Sequence, residues 1–267
     1  MTELGYHESG NRDGIPLVAL HAFPLDHRMF NPMINELGER WVIAPDAPGF
    51  GDSASPRRVA DSVDSSPFGL ECYADAIAAA SAEARLDRIV LAGVSMGGYV
   101  AMAVAERHPD LIAGLALIDT KSRADGDEAA ENRRIMAEEV GRGVATSMRT
   151  MPTMMLGDTT LAEHREVRTE LVHWIGQAPL EGIAWAQLAI AERPDRTEVL
   201  RGLDVPAVVI RGAEDKLSSA ADHEAMAEAL GCAVETVNGV GHLAPLEAPA
   251  EVARIIAGLM DRVQEES

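Results

Sequence analysis

The chain is short of positive charge: 23 Lys and Arg stand against 43 Asp and Glu, a formal net charge of −20. A field of that sign repels phosphate backbones and anionic lipid, which argues against nucleic acid and membrane surfaces as partners. Long apolar runs are lacking. Nothing approaches the roughly 18 consecutive apolar residues of a membrane-spanning helix, and the stretch from Met1 to His7 is not a basic start followed by an apolar segment. A cytoplasmic protein is therefore expected. Cysteine is scarce as well. Cys72 and Cys232 are far apart and lack the spacing of a metal site, so free thiols in a reducing compartment are expected, with no metal. Aromatic residues make up only 4%. Alanine, valine and leucine take their place, a mix suited to helices packed on a parallel sheet. The 267 residues are enough for one large α/β domain with a sizeable core.

What is present has a rhythm. Short apolar runs recur at Leu17 to His21, Trp41 to Pro45, Ile89 to Gly93, Leu115 to Asp119, Ala207 to Arg211 and Ala233 to Val237. Most are continuous rather than alternating, as strands buried on both faces of a parallel sheet must be. Helical patterns lie between them at Tyr73 to Ala84, Tyr99 to Glu106, Ala220 to Leu230 and Pro249 to Val263. Alternating strands and helices predict a mostly parallel, doubly wound α/β sheet. From about Lys121 to Leu200 the rhythm stops. That stretch reads as short helices punctuated by Pro152, Gly157, Pro179 and Pro194. The expected organisation is a core of residues 1–120 and 206–267 with a helical cap of residues 121–205. The cap would lie over the C-terminal edge of the sheet, where open α/β folds bind ligands.

Four short segments carry chemistry. Gly93-Val94-Ser95-Met96-Gly97-Gly98 joins a predicted strand to a predicted helix. A serine on so sharp a turn is forced into a strained backbone, and the residues two positions either side must be small. Ser95 is the candidate nucleophile, backed by a helix N-terminus that favours developing negative charge. A serine hydroxyl needs a base, and His242 in Gly241-His242-Leu243 follows the last predicted strand. Asp215 in Arg211-Gly212-Ala213-Glu214-Asp215 is the candidate acid that orients the imidazole, preferred over its neighbour Glu214. Asp119, at the end of another strand, is the rival, although a turn or capping role suits it better. The chain order Ser95, Asp215, His242 fits the strand–turn–helix nucleophile. His21-Ala22-Phe23-Pro24 follows the first of these strands. The backbone N–H groups of Phe23 and Met96 are the candidate oxyanion donors. His21 itself is expected to shape that loop. Asp46 through Ser53 reads as a structural proline-glycine turn, not a phosphate cradle, since no Lys follows its glycines.

These segments together resemble the α/β-hydrolase superfamily over nearly the whole chain. Within it, the likeness is to compact lidded bacterial members: carboxylesterases, 3-oxoadipate enol-lactonases and cofactor-free haloperoxidase-type esterases. The resemblance implies the α/β-hydrolase fold, a helical cap insertion, a Ser-His-Asp triad and no cofactor. Two departures stand out. Ala22 occupies a position that is usually glycine, and the short N-terminus leaves the first antiparallel strand stunted or absent.

The implied reaction is acyl transfer from a small-molecule ester or lactone to water through an acyl-enzyme. C–C bond hydrolysis or perhydrolysis by the same triad is an alternative, as is a slow-turnover ligand-binding regulator. A homo-oligomer is left open. Met154 and Trp185, in a segment also holding Met148, Met151, Met155 and Trp174, are candidate pocket walls, as are Phe30, Phe23 and Met96 of the body. Packing of the cap onto the body explains those residues equally well. Arg123, Arg133 and Arg134 are candidates to pair with an acidic substrate, although solvation of a helical surface accounts for them more simply.

Overall fold

A computed structural model of the chain describes residues 2–143, 148 and 150–266. Its strands are β1 (Tyr6–Ser9), β2 (Leu17–Leu20), β3 (Val42–Pro45), β4 (Ile89–Val94), β5 (Ile112–Ile118), β6 (Ala207–Gly212) and β7 (Val234–Val237). They form one sheet in the order β1-β3-β2-β4-β5-β6-β7. Strand β1 runs antiparallel to β3, and every other pair is parallel. The first strand is thus present but only four residues long. Burial follows position. Every residue of β2, β4 and β5 is buried, while the edge strands β1 and β7 carry exposed polar residues. A central strand covered on both faces tolerates only apolar side chains, which is why these runs do not alternate.

Helices cover both faces. In chain order they are α1 (Asn31–Leu37), α2 (Pro56–Ser62), α3 (Glu71–Glu83), α4 (Met96–Arg107), α5 (Asp127–Gly141), α6 (Met151–Met155), α7 (Asp158–Glu163), α8 (Arg165–Gln177), α9 (Leu180–Ala191), α10 (Thr197–Arg201), α11 (Ala220–Leu230), α12 (Ala244–Glu247) and α13 (Pro249–Glu265). Their ends follow ordinary capping chemistry. Ser219 and Asp222 form a reciprocal capping box at the start of α11, and Gly231 closes it at a φ of 64°. Helix α13 buries Val252, Ile256, Leu259, Met260 and Val263, one stripe at helical spacing, against the sheet.

Helices α5 to α10 all lie between β5 and β6 in the chain. Helix α9 is buried on nearly every side, and α5 packs along it. The N-terminal turn of α9 meets the body where Gly182 faces Gly49. A Cβ on Gly182 would run into the Gly49 carbonyl, so glycine permits this approach. An ion cluster around a buried carboxylate ties the inserted layer together. Asp125, 1% exposed at its side chain, receives Arg193 at 2.8 Å, Arg133 at 2.6 Å and Lys121 at 2.9 Å. The Arg193 guanidinium also lies 4.0 Å from the ring centroid of Tyr99, on α4. The helix that begins behind Ser95 is thereby packed against the inserted layer.

Candidate active site

The chemistry-bearing residues sit just beyond the C-terminal ends of the parallel strands. Ser95 follows β4, Asp119 follows β5, Asp215 lies three residues past β6, and His242 follows β7. Ser95 has φ 52° and ψ −111°, a left-handed conformation that a non-glycine residue adopts only when its surroundings force it. Those surroundings are visible. The Ser95 N–H donates to the Ile118 carbonyl at 2.9 Å, and the Ser95 carbonyl accepts from the Thr120 hydroxyl at 2.8 Å. The flanking glycines are needed for space. A Cβ on Gly93 would strike the backbone of Gly97, one on Gly97 would strike the Leu20 carbonyl, and one on Gly98 would strike the Thr120 side chain.

Ser95, His242 and Asp215 come together. The Ser95 hydroxyl lies 2.8 Å from His242 Nε2. On the other side of the ring, Nδ1 lies 2.9 Å from both carboxylate oxygens of Asp215. His242 is 4% exposed. Burial alone would lower its pKa, but the hydrogen bond and charge of Asp215 outweigh it and hold the imidazole above its ordinary value. Asp215 shows the converse. Burial opposes its ionisation, yet its bonds to His242, to the Ser218 hydroxyl and to the Leu217 N–H keep the carboxyl below its usual value.

Glu214 turns away from the imidazole and takes the N–H of Thr159 at 2.8 Å and its hydroxyl at 2.6 Å. Asp119 is fully buried. Its carboxylate accepts the Gly212 N–H at 2.7 Å and the Ala244 N–H at 3.0 Å, tying the loop of Asp215 to the loop of His242. Burial first, then the nearby charge of Asp215, raises its pKa to about 7.

The loop after β2 is organised by His21, whose Nε2 accepts the Ala47 N–H at 2.8 Å and whose Nδ1 lies 3.0 Å from the Ala22 carbonyl. The first bond fixes the tautomer with the proton on Nδ1. Asp46 anchors the adjoining turn by accepting the N–H groups of His27 at 2.8 Å and Asp52 at 2.9 Å. Phe23 and Met96 are buried, at 7% and 0% exposed. Among the described residues, neither backbone N–H has an intramolecular partner.

Phe30 is fully buried in the core, and Trp185 is buried with its indole N–H on the Pro67 carbonyl at 2.8 Å. Met154 is 46% exposed, whereas Met155, beside it on α6, is buried and its carbonyl accepts the His242 N–H at 2.7 Å. Trp174 is buried beneath the Arg28 guanidinium. The three arginines all have carboxylate partners within the chain. Arg123 pairs with Asp222, Arg133 with Asp125, and Arg134 with Glu192.

One residue near His242, Glu247, was not expected from the sequence. Glu247 accepts the N–H groups of Gly241 and Leu243, each at 3.1 Å, and that of Gly157 at 2.8 Å. Its only sequence signal is a carboxylate one helical turn beyond Leu243, across Ala244-Pro245-Leu246.

The family model described as the alpha/beta hydrolase family matches residues 17–255. A pimeloyl-[acyl-carrier protein] methyl ester esterase of Stenotrophomonas maltophilia is 30% identical over 262 residues, covering 92% of this chain and 94% of that protein. The 3-oxoadipate enol-lactonase 2 of Acinetobacter baylyi is 22% identical over 97% of this chain and 93% of its own. Among solved structures, a thermophilic esterase from Thermogutta terrifontis, with malate bound, superposes with a TM-score of 0.90 at 37% identity, covering 98% of this chain and 94% of that one. The chain belongs to the alpha/beta hydrolase family. It is a hydrolase, and no helix among its described residues is long and apolar enough to cross a membrane.

Proposed function

We propose that the protein hydrolyses a carboxylic ester or lactone through a covalent acyl-enzyme on Ser95. The observation that carries this reading is the unbroken chain of short contacts from the Ser95 hydroxyl through His242 to Asp215, at 2.8 and 2.9 Å. In the first half-reaction the Ser95 oxygen attacks the carbonyl carbon while His242 Nε2 takes its proton. Asp215 keeps the other ring proton on Nδ1 and stabilises the imidazolium. The unpaired N–H groups of Phe23 and Met96 receive the negative charge that develops on the carbonyl oxygen. His242 then returns the proton to the departing alkoxide. Water repeats the sequence on the acyl-enzyme, with His242 again the base.

The similarity to an esterase of known structure at 37% identity supports ester cleavage over other uses of the same residues. Residues 121–205 act as the cap over this site, and residues 1–120 and 206–267 form the body. The bonds from the α6–α7 segment to the base loop support that division. The substrate is a neutral ester or lactone rather than an anionic one. Arg123, Arg133 and Arg134 are already paired with carboxylates, and the chain carries a net charge of −20.

Rapid quenching of p-nitrophenyl butyrate turnover, followed by peptide mass spectrometry, tests the covalent step. A butyryl group on the peptide containing Ser95, with a burst of nitrophenolate, is the expected result. Steady release of nitrophenolate with no acylated peptide at any quench time would overturn it.

A further inference from the structure

The backbone of the loop that carries His242 is held in an unusual way. Its four consecutive N–H groups, from Gly241 to Ala244, all donate, three to side-chain carboxylates and one to a carbonyl of α6. Gly241 and Leu243 donate to Glu247, His242 to the Met155 carbonyl, and Ala244 to Asp119. Glu247 therefore holds the N–H immediately before the base and the one immediately after it. The same carboxylate takes the N–H of Gly157 at 2.8 Å, in the turn between α6 and α7. The fit there is close, because a Cβ on Gly241 would overlap the backbone of Leu156 and Gly157. A carboxylate accepting three backbone N–H groups makes charge-assisted bonds, roughly twice the strength of neutral ones.

We propose that Glu247 is a positioning residue of the ester-cleaving reaction: it locks the base loop and the α6–α7 turn into one rigid unit and so fixes where His242 Nε2 meets Ser95. The proposal rests on the triad reading given above. It assigns the α6–α7 segment a place in the base's scaffold rather than in a free lid. Neighbouring bonds reinforce the unit. Glu214 grips Thr159, and Lys216 reaches Asp158 at 2.7 Å.

The groups that set the proton affinity of His242 are Asp215, Asp119 and Glu247, in that order of influence, acting against the effect of burial. Removing the Glu247 charge takes one anion from beside the imidazolium. The acid limb of the pH–rate profile reports the proton on the free base, so it moves to lower pH in Glu247→Gln.

The test compares wild type, Glu247→Gln, Glu247→Ala and Ser95→Ala. Each is measured for kcat and KM on p-nitrophenyl butyrate across pH, with melting temperatures taken in parallel. Expected for Glu247→Gln is a fall in kcat of about 30-fold with KM changed by less than about threefold, with the acid limb displaced downward. Gln keeps one acceptor oxygen, so it retains more activity than Ala. Two results would overturn the proposal. One is a kcat and acid limb matching wild type in a folded Glu247→Gln. The other is a loss that is fully recovered on cooling below the lowered melting temperature, which marks a role in stability alone. Ser95→Ala separates the layers of the argument: if it retains full turnover, the triad reading itself has failed, whatever Glu247 does.

Discussion

The titration of a single imidazole links the site's geometry to a measurable rate. Asp215 holds the His242 pKa above the ordinary imidazole value, against the opposing effect of burial. In the proposed mechanism His242 accepts a proton only when neutral, so kcat/KM is expected to rise with pH through a value above the unperturbed ~6.5. In Asp215→Asn the charge is gone and the preferred tautomer is lost. A fall in kcat/KM of about 10⁴-fold is expected, with the residual acid limb moved to lower pH, both read from the pH–rate profile. An acid limb that stays in place in this variant would separate Asp215 from the base. Asp125 offers the matching test of stability. Burial opposes its ionisation, but Arg193 and Arg133 hold the carboxyl far below the usual range. A depressed carboxylate contributes stability above its unfolded pKa and loses it as the pH falls through the folded value. Asp125→Ala leaves Arg193 buried and unpaired. It is expected to cost about 3–5 kcal/mol at neutral pH in urea titration, with the deficit shrinking in acid.

At the scale of elements, the turn from β4 to α4 leaves little freedom. Gly97 lies against the Leu20 carbonyl, so Gly97→Ala must displace β2 or unwind the first turn of α4. A loss of more than ~2 kcal/mol in stability and of about 100-fold in turnover is expected, measured by thermal melting and ester assay. Gly141→Ala, at a helical site with open space around it, should leave both unchanged. Elements of this kind were readable because their cause is local. Continuous apolar runs marked β2 to β6, and a shorter interrupted one β7, to within a few residues, and the glycine spacing around Ser95 marked its turn. Strand β5 begins at Ile112, three residues before the expected start, because Gly114 interrupts the apolar run, while pairing with β4 resumes at Gly114 after a register shift. Helices α1, α2 and α12 escaped because they are four to seven residues long, too short to show a period. The contacts of Glu247 across the fold were not legible for a different reason. Its partner Gly157 is 90 residues away in the chain, and nothing in either local pattern records the pairing.

For the whole molecule, the net charge of −20 acts on what reaches the site. Two esters matched in size, one neutral and one ending in a free carboxylate, should differ by at least about tenfold in kcat/KM in favour of the neutral one. The gap should narrow as added salt shortens the Debye length from ~10 Å at 0.1 M. Equal rates, or preference for the anion at low salt, would point to a cation in the pocket that the paired arginines do not supply. The charge pattern also shows how far sequence reaches at this scale. Counting charges gave the sign of the field. Only the fold revealed that Arg123, Arg133 and Arg134 are committed to Asp222, Asp125 and Glu192.

In the proposed reaction the Ser95 oxygen, activated by His242, forms the covalent bond to substrate. Labelling with a fluorophosphonate, read by intact mass and by peptide mapping, tests it most directly. The account predicts one adduct per chain on the peptide holding Ser95, none in Ser95→Ala, and labelling slowed by several orders of magnitude in His242→Ala. An adduct on another residue, or equal labelling of wild type and Ser95→Ala, would contradict it.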